Sequence, residues 1–166
     1  GAFMKSARLS LLWVACLASC PLSAASSAPR AFRLDDLQKI VSLGDPQISP
    51  DGKKIAVIVS TPDWTTDKAK RQIDLVAVAN GARRRLVGHR DNLSSPRWSP
   101  DGTRLAFLAK DPLSKQTQVF VLSMNGGSAT RATANMQGVD DYSWSPDGKS
   151  IAFIAHDPPL NAEAIK

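Results

Sequence analysis

Apolar residues in this chain come in short dense runs, not in long stripes. Three runs, over 54–59, 105–109 and 151–155, are apolar at successive positions apart from Lys54, instead of alternating with polar ones. Strands of that kind are covered on both faces. A second strand is expected in each complete unit, over 73–79 and 118–123. Turn residues follow at once, Asn80-Gly81 and Asn125-Gly126-Gly127, and such pairs mark hairpins. Weaker strands are expected over 83–87 and 129–132. A fourth strand then leads into the next unit and carries Trp98 or Trp144.

One phrase introduces each dense run. It reads QISPDGKKIAVIV from Gln47, RWSPDGTRLAFLA from Arg97 and SWSPDGKSIAFIA from Ser143. The aspartates Asp51, Asp101 and Asp147 lie 50 and 46 residues apart. Four short strands per unit of that length is the pattern of a propeller blade. The turn chemistry is explicit. Pro50, Pro100 and Pro146 preset φ, and the aspartates accept local backbone bonds. Gly52, Gly102 and Gly148 suit a positive φ, and Ser49, Ser99 and Ser145 can add a bond at the turn start. Trp98 and Trp144 share a repeat position with Ile48, and Phe107 and Phe153 share one with Val57. Large apolar residues at fixed positions read as packing between stacked blades.

One helix is expected before the repeats, over 34–44. Leu34, Leu37, Ile40 and Val41 recur at helical spacing, Asp35 is a candidate cap with Gln38 three residues on, and Gly44 with Pro46 ends the element. The expected fold is therefore all-β: an incomplete propeller of about two and a half four-stranded blades over 45–166, preceded by one short helix. The repeats begin near 47, 97 and 143.

Composition adds a compartment. Hydrophobic residues make up 43% of the chain and charged ones 22%, as in a soluble globular domain. The N-terminal region reads differently. Gly1-Ala2-Phe3 precede Met4 and read as a cloning remnant. From Met4, Lys5 and Arg8 are followed by an apolar stretch and then by small residues. That order is a secretory signal peptide over 4–25, with a linker over 26–33. Its end stays open between two readings. Ser23-Ala24-Ala25 permits cleavage after Ala25, and Leu17-Ala18-Ser19-Cys20 resembles a lipobox that would be lipidated at Cys20. An exported protein, periplasmic or secreted and in the second case lipid-anchored, is expected. Cys16 and Cys20 both lie in this segment, so the mature domain holds neither a disulfide nor a thiolate metal site. Losing Lys5 and Arg8 lowers the formal charge from +6 to +4. Arg83-Arg84-Arg85 is one basic triplet with no interleaved aromatics, which argues against nucleic acid as a partner.

Candidate chemistry is sparse. The three aspartates belong to different units and lack the close acidic spacing of a calcium loop. His89 and His156 are the only histidines, and neither has a partner at metal-ligand spacing. No G-x-S-x-G nucleophile elbow occurs, and Gly126-Gly127-Ser128 does not match it. No catalytic, cofactor-binding or metal-binding residue is assigned.

The stretches Phe32-Arg33-Leu34-Asp35-Asp36-Leu37 and Leu43 through Ala56 closely resemble the start of the S9 serine peptidases, the prolyl oligopeptidase, dipeptidyl-peptidase and acylaminoacyl-peptidase group. The W-S-P-D-G phrase at Trp98 and Trp144 is similar to the repeat these enzymes share with TolB. The resemblance covers roughly 32–157. It implies a propeller that limits access to short peptides, above a C-terminal α/β-hydrolase domain carrying Ser, Asp and His. None of the hydrolase motifs is present, so no catalytic residue carries over. The glutamate pair that grips a substrate amine in dipeptidyl-peptidases is also absent, since Glu163 is the only Glu. The expectation is an N-terminal propeller fragment that partners a hydrolase domain lying outside this sequence. Two alternatives stay open: a non-enzymatic TolB-like envelope propeller that binds proteins, and a short protein that self-associates through uncovered blades.

The leader reading is checked by intact mass on protein recovered from the cell envelope. A mature terminus at Ser26 or a lipidated Cys20 is expected, and an unprocessed Met4 would contradict export.

Overall fold

A computed structural model of the chain describes residues 33–156. Expectations about Cys16, Cys20, the 4–25 leader, most of the 26–33 linker and Glu163 lie outside the described residues. Ten strands occur among the described residues: β1 (Ser42–Ile48), β2 (Lys54–Asp63), β3 (Lys68–Ala77), β4 (Arg83–Val87), β5 (Ser94–Trp98), β6 (Arg104–Lys110), β7 (Thr117–Ser123), β8 (Thr130–Arg131), β9 (Asp141–Trp144) and β10 (Ile151–Ile154). They form antiparallel sheets of four, four and two strands, ordered β1-β2-β3-β4, β5-β6-β7-β8 and β9-β10. Among the described residues the fold is all-β, with almost no helix.

Three expectations change. The helix over 34–44 is a 3-10 helix at Leu34–Lys39 only. Its start is closed by Asp36, whose carboxylate accepts the Arg33 backbone N–H at 2.9 Å, and not by Asp35. From Ser42 the chain is strand, paired with β2 from Ser42↔Ser60 to Ile48↔Ile55. Without this pairing, one edge of β2 would lack backbone partners, a cost that outweighs a marginal short helix. Second, the Trp98 and Trp144 strands are not fourth strands of the preceding unit. Each opens its own sheet, and β4 or β8 is the outer edge. Third, the run over 151–155 is not covered on both faces. Phe153 is 44% and Ile154 64% exposed, because no described element packs over them.

The middle sheet explains why its strands are apolar at every position. Cβ direction alternates along a strand. On β6, Leu105, Phe107 and Ala109 face the first sheet and join Ala56, Ile58, Ile73 and Leu75 in one core. Ala106 and Leu108 face the other way and join Val119, Val139 and Tyr142, with Trp144 and Ile151 against them. Phe107 and Phe120 stack with centroids 5.9 Å apart. The two outer edges are short or charged. β8 has two residues, and β4 begins with Arg83-Arg84-Arg85. Arginine along an edge hinders pairing with another chain. Arg83 also pairs with the buried Asp74 at 2.7 Å, and Gln72 Nε2 donates to the same carboxylate at 2.8 Å.

Phe107 is fully buried between two sheets. Phe107→Ala is expected to lower unfolding free energy by about 3–5 kcal/mol in a denaturant titration. Phe153→Ala, at the same repeat position but half exposed, is expected to cost much less. Equal costs would contradict the two-faced burial of the middle sheet.

Candidate functional site

The repeated turn is built the same way three times. Ser49 Oγ accepts the Lys54 N–H at 2.9 Å and donates to Asp51 Oδ1 at 2.6 Å. Asp51 Oδ1 also accepts the Lys53 N–H at 3.1 Å. The second copy has Arg104 N–H to Ser99 Oγ at 3.0 Å, Ser99 Oγ to Asp101 Oδ1 at 2.5 Å and Thr103 N–H to Asp101 at 3.1 Å. The third has Ser150 N–H to Ser145 Oγ at 2.9 Å, Ser145 Oγ to Asp147 at 2.6 Å and Lys149 N–H to Asp147 at 3.0 Å. Gly52, Gly102 and Gly148 sit at φ 70°, 68° and 67°.

This geometry fixes the chemistry of the acids. The serine hydroxyl, then the backbone N–H two residues on, hold the Asp51 and Asp147 carboxyls below the usual range. At Asp101 the Thr103 hydroxyl, 2.8 Å away, joins these two donors, and its pKa falls to about 2. A carboxylate held ionised by local donors is poorly suited to proton transfer near neutrality. Among the described residues no cluster of three His, Cys, Asp or Glu could hold a metal ion.

The turns also pack on one another. A Cβ added at Gly102 would meet Pro50 Cδ at 3.3 Å, and one added at Gly148 would meet Pro100 Cδ at 3.3 Å. So the glycine of one turn seats the proline ring of the turn before it. The tryptophans repeat the step beside them. Trp98 Nε1 donates to Gln47 O at 2.9 Å, and Trp144 Nε1 donates to Arg97 O at 3.2 Å. Arg104 donates to Gly148 O at 2.7 Å, and its guanidinium lies 4.9 Å from the Trp144 ring centroid. Repeat positions alone place these tryptophans between blades. The indole bonds and the glycine-to-proline contact have no sequence signal beyond the recurrence of the same letters.

The first strands of the sheets carry a polar line. β1 and β5 each contain a bulge, with Asp45 at φ 53° and Ser95 at φ 50°. Asp45 Oδ2 accepts the Ser95 N–H at 3.1 Å, and Tyr142 donates its hydroxyl to Ser95 O at 2.6 Å. Burial pushes the Tyr142 phenol well above its ordinary pKa. Arg97 and Asp141 pair at 2.9 Å. The histidines stand apart from this line. His156 Nδ1 meets Asp140 Oδ2 at 2.7 Å on the surface, and His89 lines a hollow near Lys110. No acid, base and nucleophile are brought together among the described residues.

Stacked antiparallel sheets joined by identical turn-to-turn steps define a propeller class of protein. A family model described as the TolB beta propeller domain matches residues 37–163, and the chain belongs to that family. The "Uncharacterized peptidase YuxL" of Bacillus subtilis is 36% identical over 89 residues, 54% of this chain and 13% of that protein. "Dipeptidyl-peptidase 5" of Porphyromonas gingivalis is 36% identical over 69 residues, 42% of this chain and 10% of that protein. The chain thus spans about a tenth of the length of these curated relatives. In fold it is similar to the acylaminoacyl peptidase of Pyrococcus horikoshii, with a TM-score of 0.59 at 21% identity over 72% of this chain and 18% of that one. It is also similar to the beta-propeller domain of the Trilobed protease from Pyrococcus furiosus, with a TM-score of 0.56 at 22% identity over 70% of this chain and 34% of that one. The resemblance to propellers of S9-type peptidases therefore holds in sequence and in fold.

Two substitutions separate the turn's own conformation from its packing. Gly52 and Gly102 share the same φ, but nothing lies within 4 Å of a Cβ at Gly52. Gly52→Ala is expected to cost about 1–2 kcal/mol, the left-handed penalty alone. Gly102→Ala is expected to cost more, because Pro50 must also move. Equal losses in thermal unfolding would remove the packing role.

The turn aspartates also set a pH dependence. Their folded pKa values lie below the unfolded one, so their stabilisation is full above about pH 4 and is lost as pH falls toward the folded value, about 2 for Asp101. The unfolding temperature is expected to fall across that window, and Asp101→Asn is expected to flatten the fall.

Proposed function

We propose that this chain is the propeller portion of an exported S9-type serine peptidase, one that gates short-peptide access to an α/β-hydrolase domain elsewhere in the same protein. The observation that carries this reading is its 36% identity, over 89 and 69 residues, to two proteins named as peptidases. In that role the propeller is a rigid wall with an opening. It excludes folded proteins and contributes no reacting group, which agrees with turn aspartates that spend their lone pairs on local donors. The leader over 4–25, ending after Ala25 or at a lipidated Cys20, would carry the enzyme out of the cytoplasm. The linker over 26–33 would join it to a propeller whose repeats begin near 47, 97 and 143.

The second reading is a TolB-like propeller that binds proteins in the envelope and has no hydrolase domain. The matching family model is described by TolB itself, which keeps this reading in play.

The coding sequence around these residues decides between them. A continuous frame that reaches a G-x-S-x-G elbow followed by Asp and His is expected. A frame that closes after further Ser-Pro-Asp-Gly repeats alone would overturn the peptidase reading. In parallel, the purified 166-residue chain is expected to show no labelling by a fluorophosphonate probe. Labelling would contradict the assignment of catalysis to another domain.

A further inference from the structure

Two hollows open side by side at the end of the sheets opposite the Ser-Pro-Asp-Gly turns. One, of about 330 Å³, is lined by Lys68, Arg71, Asp91, Asn92 and Lys110. The other, of about 650 Å³, is lined by His89, Arg90, Asp91, Lys110, Asp111 and Lys115. Asp91 and Lys110 belong to both, so the hollows are two lobes of one cleft. Its walls come from the start of β3, the β4–β5 connection and the β6–β7 hairpin. The Lys110 N–H donates to Asp91 O at 2.8 Å, and the Arg90 N–H donates to Arg71 O at 3.2 Å, which ties these walls together.

The charge in this cleft is unbalanced. Five cations, Lys68, Arg71, Arg90, Lys110 and Lys115, line it beside two carboxylates. Asp111 is already committed, accepting from Ser114 N–H at 3.0 Å, Ser114 Oγ at 2.9 Å and Arg131 at 2.8 Å. None of the five cations makes an ion pair among the described residues. Arg90 is held by the aromatic core below it, 4.6 Å from the Phe120 centroid and 6.0 Å from that of Phe107. Arg71 reaches Leu93 O at 3.5 Å. Arg90 and Lys110 are half-buried, and partly desolvated cations without counter-ions favour an incoming anion.

We propose that this cleft binds an acidic peptide segment, an extended run of Asp or Glu residues. The shared wall selects a peptide over a polyphosphate. Asp91 can accept a backbone N–H, which a polyphosphate lacks, and Asn92 offers both a donor and an acceptor to a peptide backbone. The lining residues include no Phe, Tyr or Trp on which a nucleobase could stack. The site stands on its own geometry and does not depend on the peptidase reading.

Fluorescence anisotropy of a dye-labelled oligoglutamate added to the 166-residue chain tests it, with an oligolysine and a single-stranded oligonucleotide as comparisons. Saturable binding of the oligoglutamate that weakens with salt is expected. Lys68→Ala with Lys110→Ala is expected to weaken it about tenfold, or about 1.4 kcal/mol. Arg84→Ala with Arg85→Ala, on the far edge strand, is expected to leave it unchanged, as is circular dichroism of both variants. Asp91→Asn, which removes a like charge without emptying the cleft, is expected to leave binding intact or tighter. Absence of saturable binding would overturn the proposal. So would equal loss in the Arg84/Arg85 variant, which marks unspecific attraction, or tighter binding of the oligonucleotide.

Discussion

A β-sheet that is apolar on both faces cannot stand alone in water. Every other feature of this chain follows from that constraint. β6 places Leu105, Phe107 and Ala109 on one side and Ala106 and Leu108 on the other, and each set is buried by a different neighbouring sheet. Stacking is thus a condition of folding for the middle unit. The turns then fix how the sheets stack. Hydrophobic burial has no direction of its own, so registry comes from short-range contacts: Gly102 against Pro50, Gly148 against Pro100, and indole N–H groups on carbonyls of the preceding sheet's first strand.

The same contacts explain what holds the most conspicuous acids in place. A turn that must present proline and glycine to its neighbours has to be rigid. Rigidity comes from the serine hydroxyl and aspartate carboxylate binding the turn's own backbone. Those bonds keep the carboxylates ionised and occupied. The stacking also creates surfaces between sheets, where the line from Asp45 to Asp141 and the cationic cleft near Lys110 are assembled from residues far apart in sequence.

Much of this was legible in the amino-acid sequence because local chemistry governs it. Pro-Asp-Gly specifies its turn within four residues, and dense runs such as 105–109 announce burial on both faces. The misreadings arose where a distant partner decided. Leu34, Leu37, Ile40 and Val41 have helical spacing, but pairing of Ser42–Ile48 with β2 claims the later part as strand. Trp98 could end one sheet or begin the next, since the connections on either side are both short, and only the pairing of β5 with β6 decides. Ile151–Ile154 has the letters of a two-faced strand, yet its exposure depends on what lies beside it. The cleft was invisible for the same reason: Lys68, Arg90 and Lys110 share no motif and meet only through the stacking of two sheets.

The central claim is that two-faced burial of the middle sheet holds the stack together. Native-state hydrogen exchange tests it most directly, because it reads opening free energy strand by strand. Amides of β6 and β7 are expected to exchange only through global unfolding. Those of β9 and β10, covered on one side among the described residues, are expected to exchange through smaller local openings. Equal protection of β6 and β10, or local exchange in β6, would contradict the account.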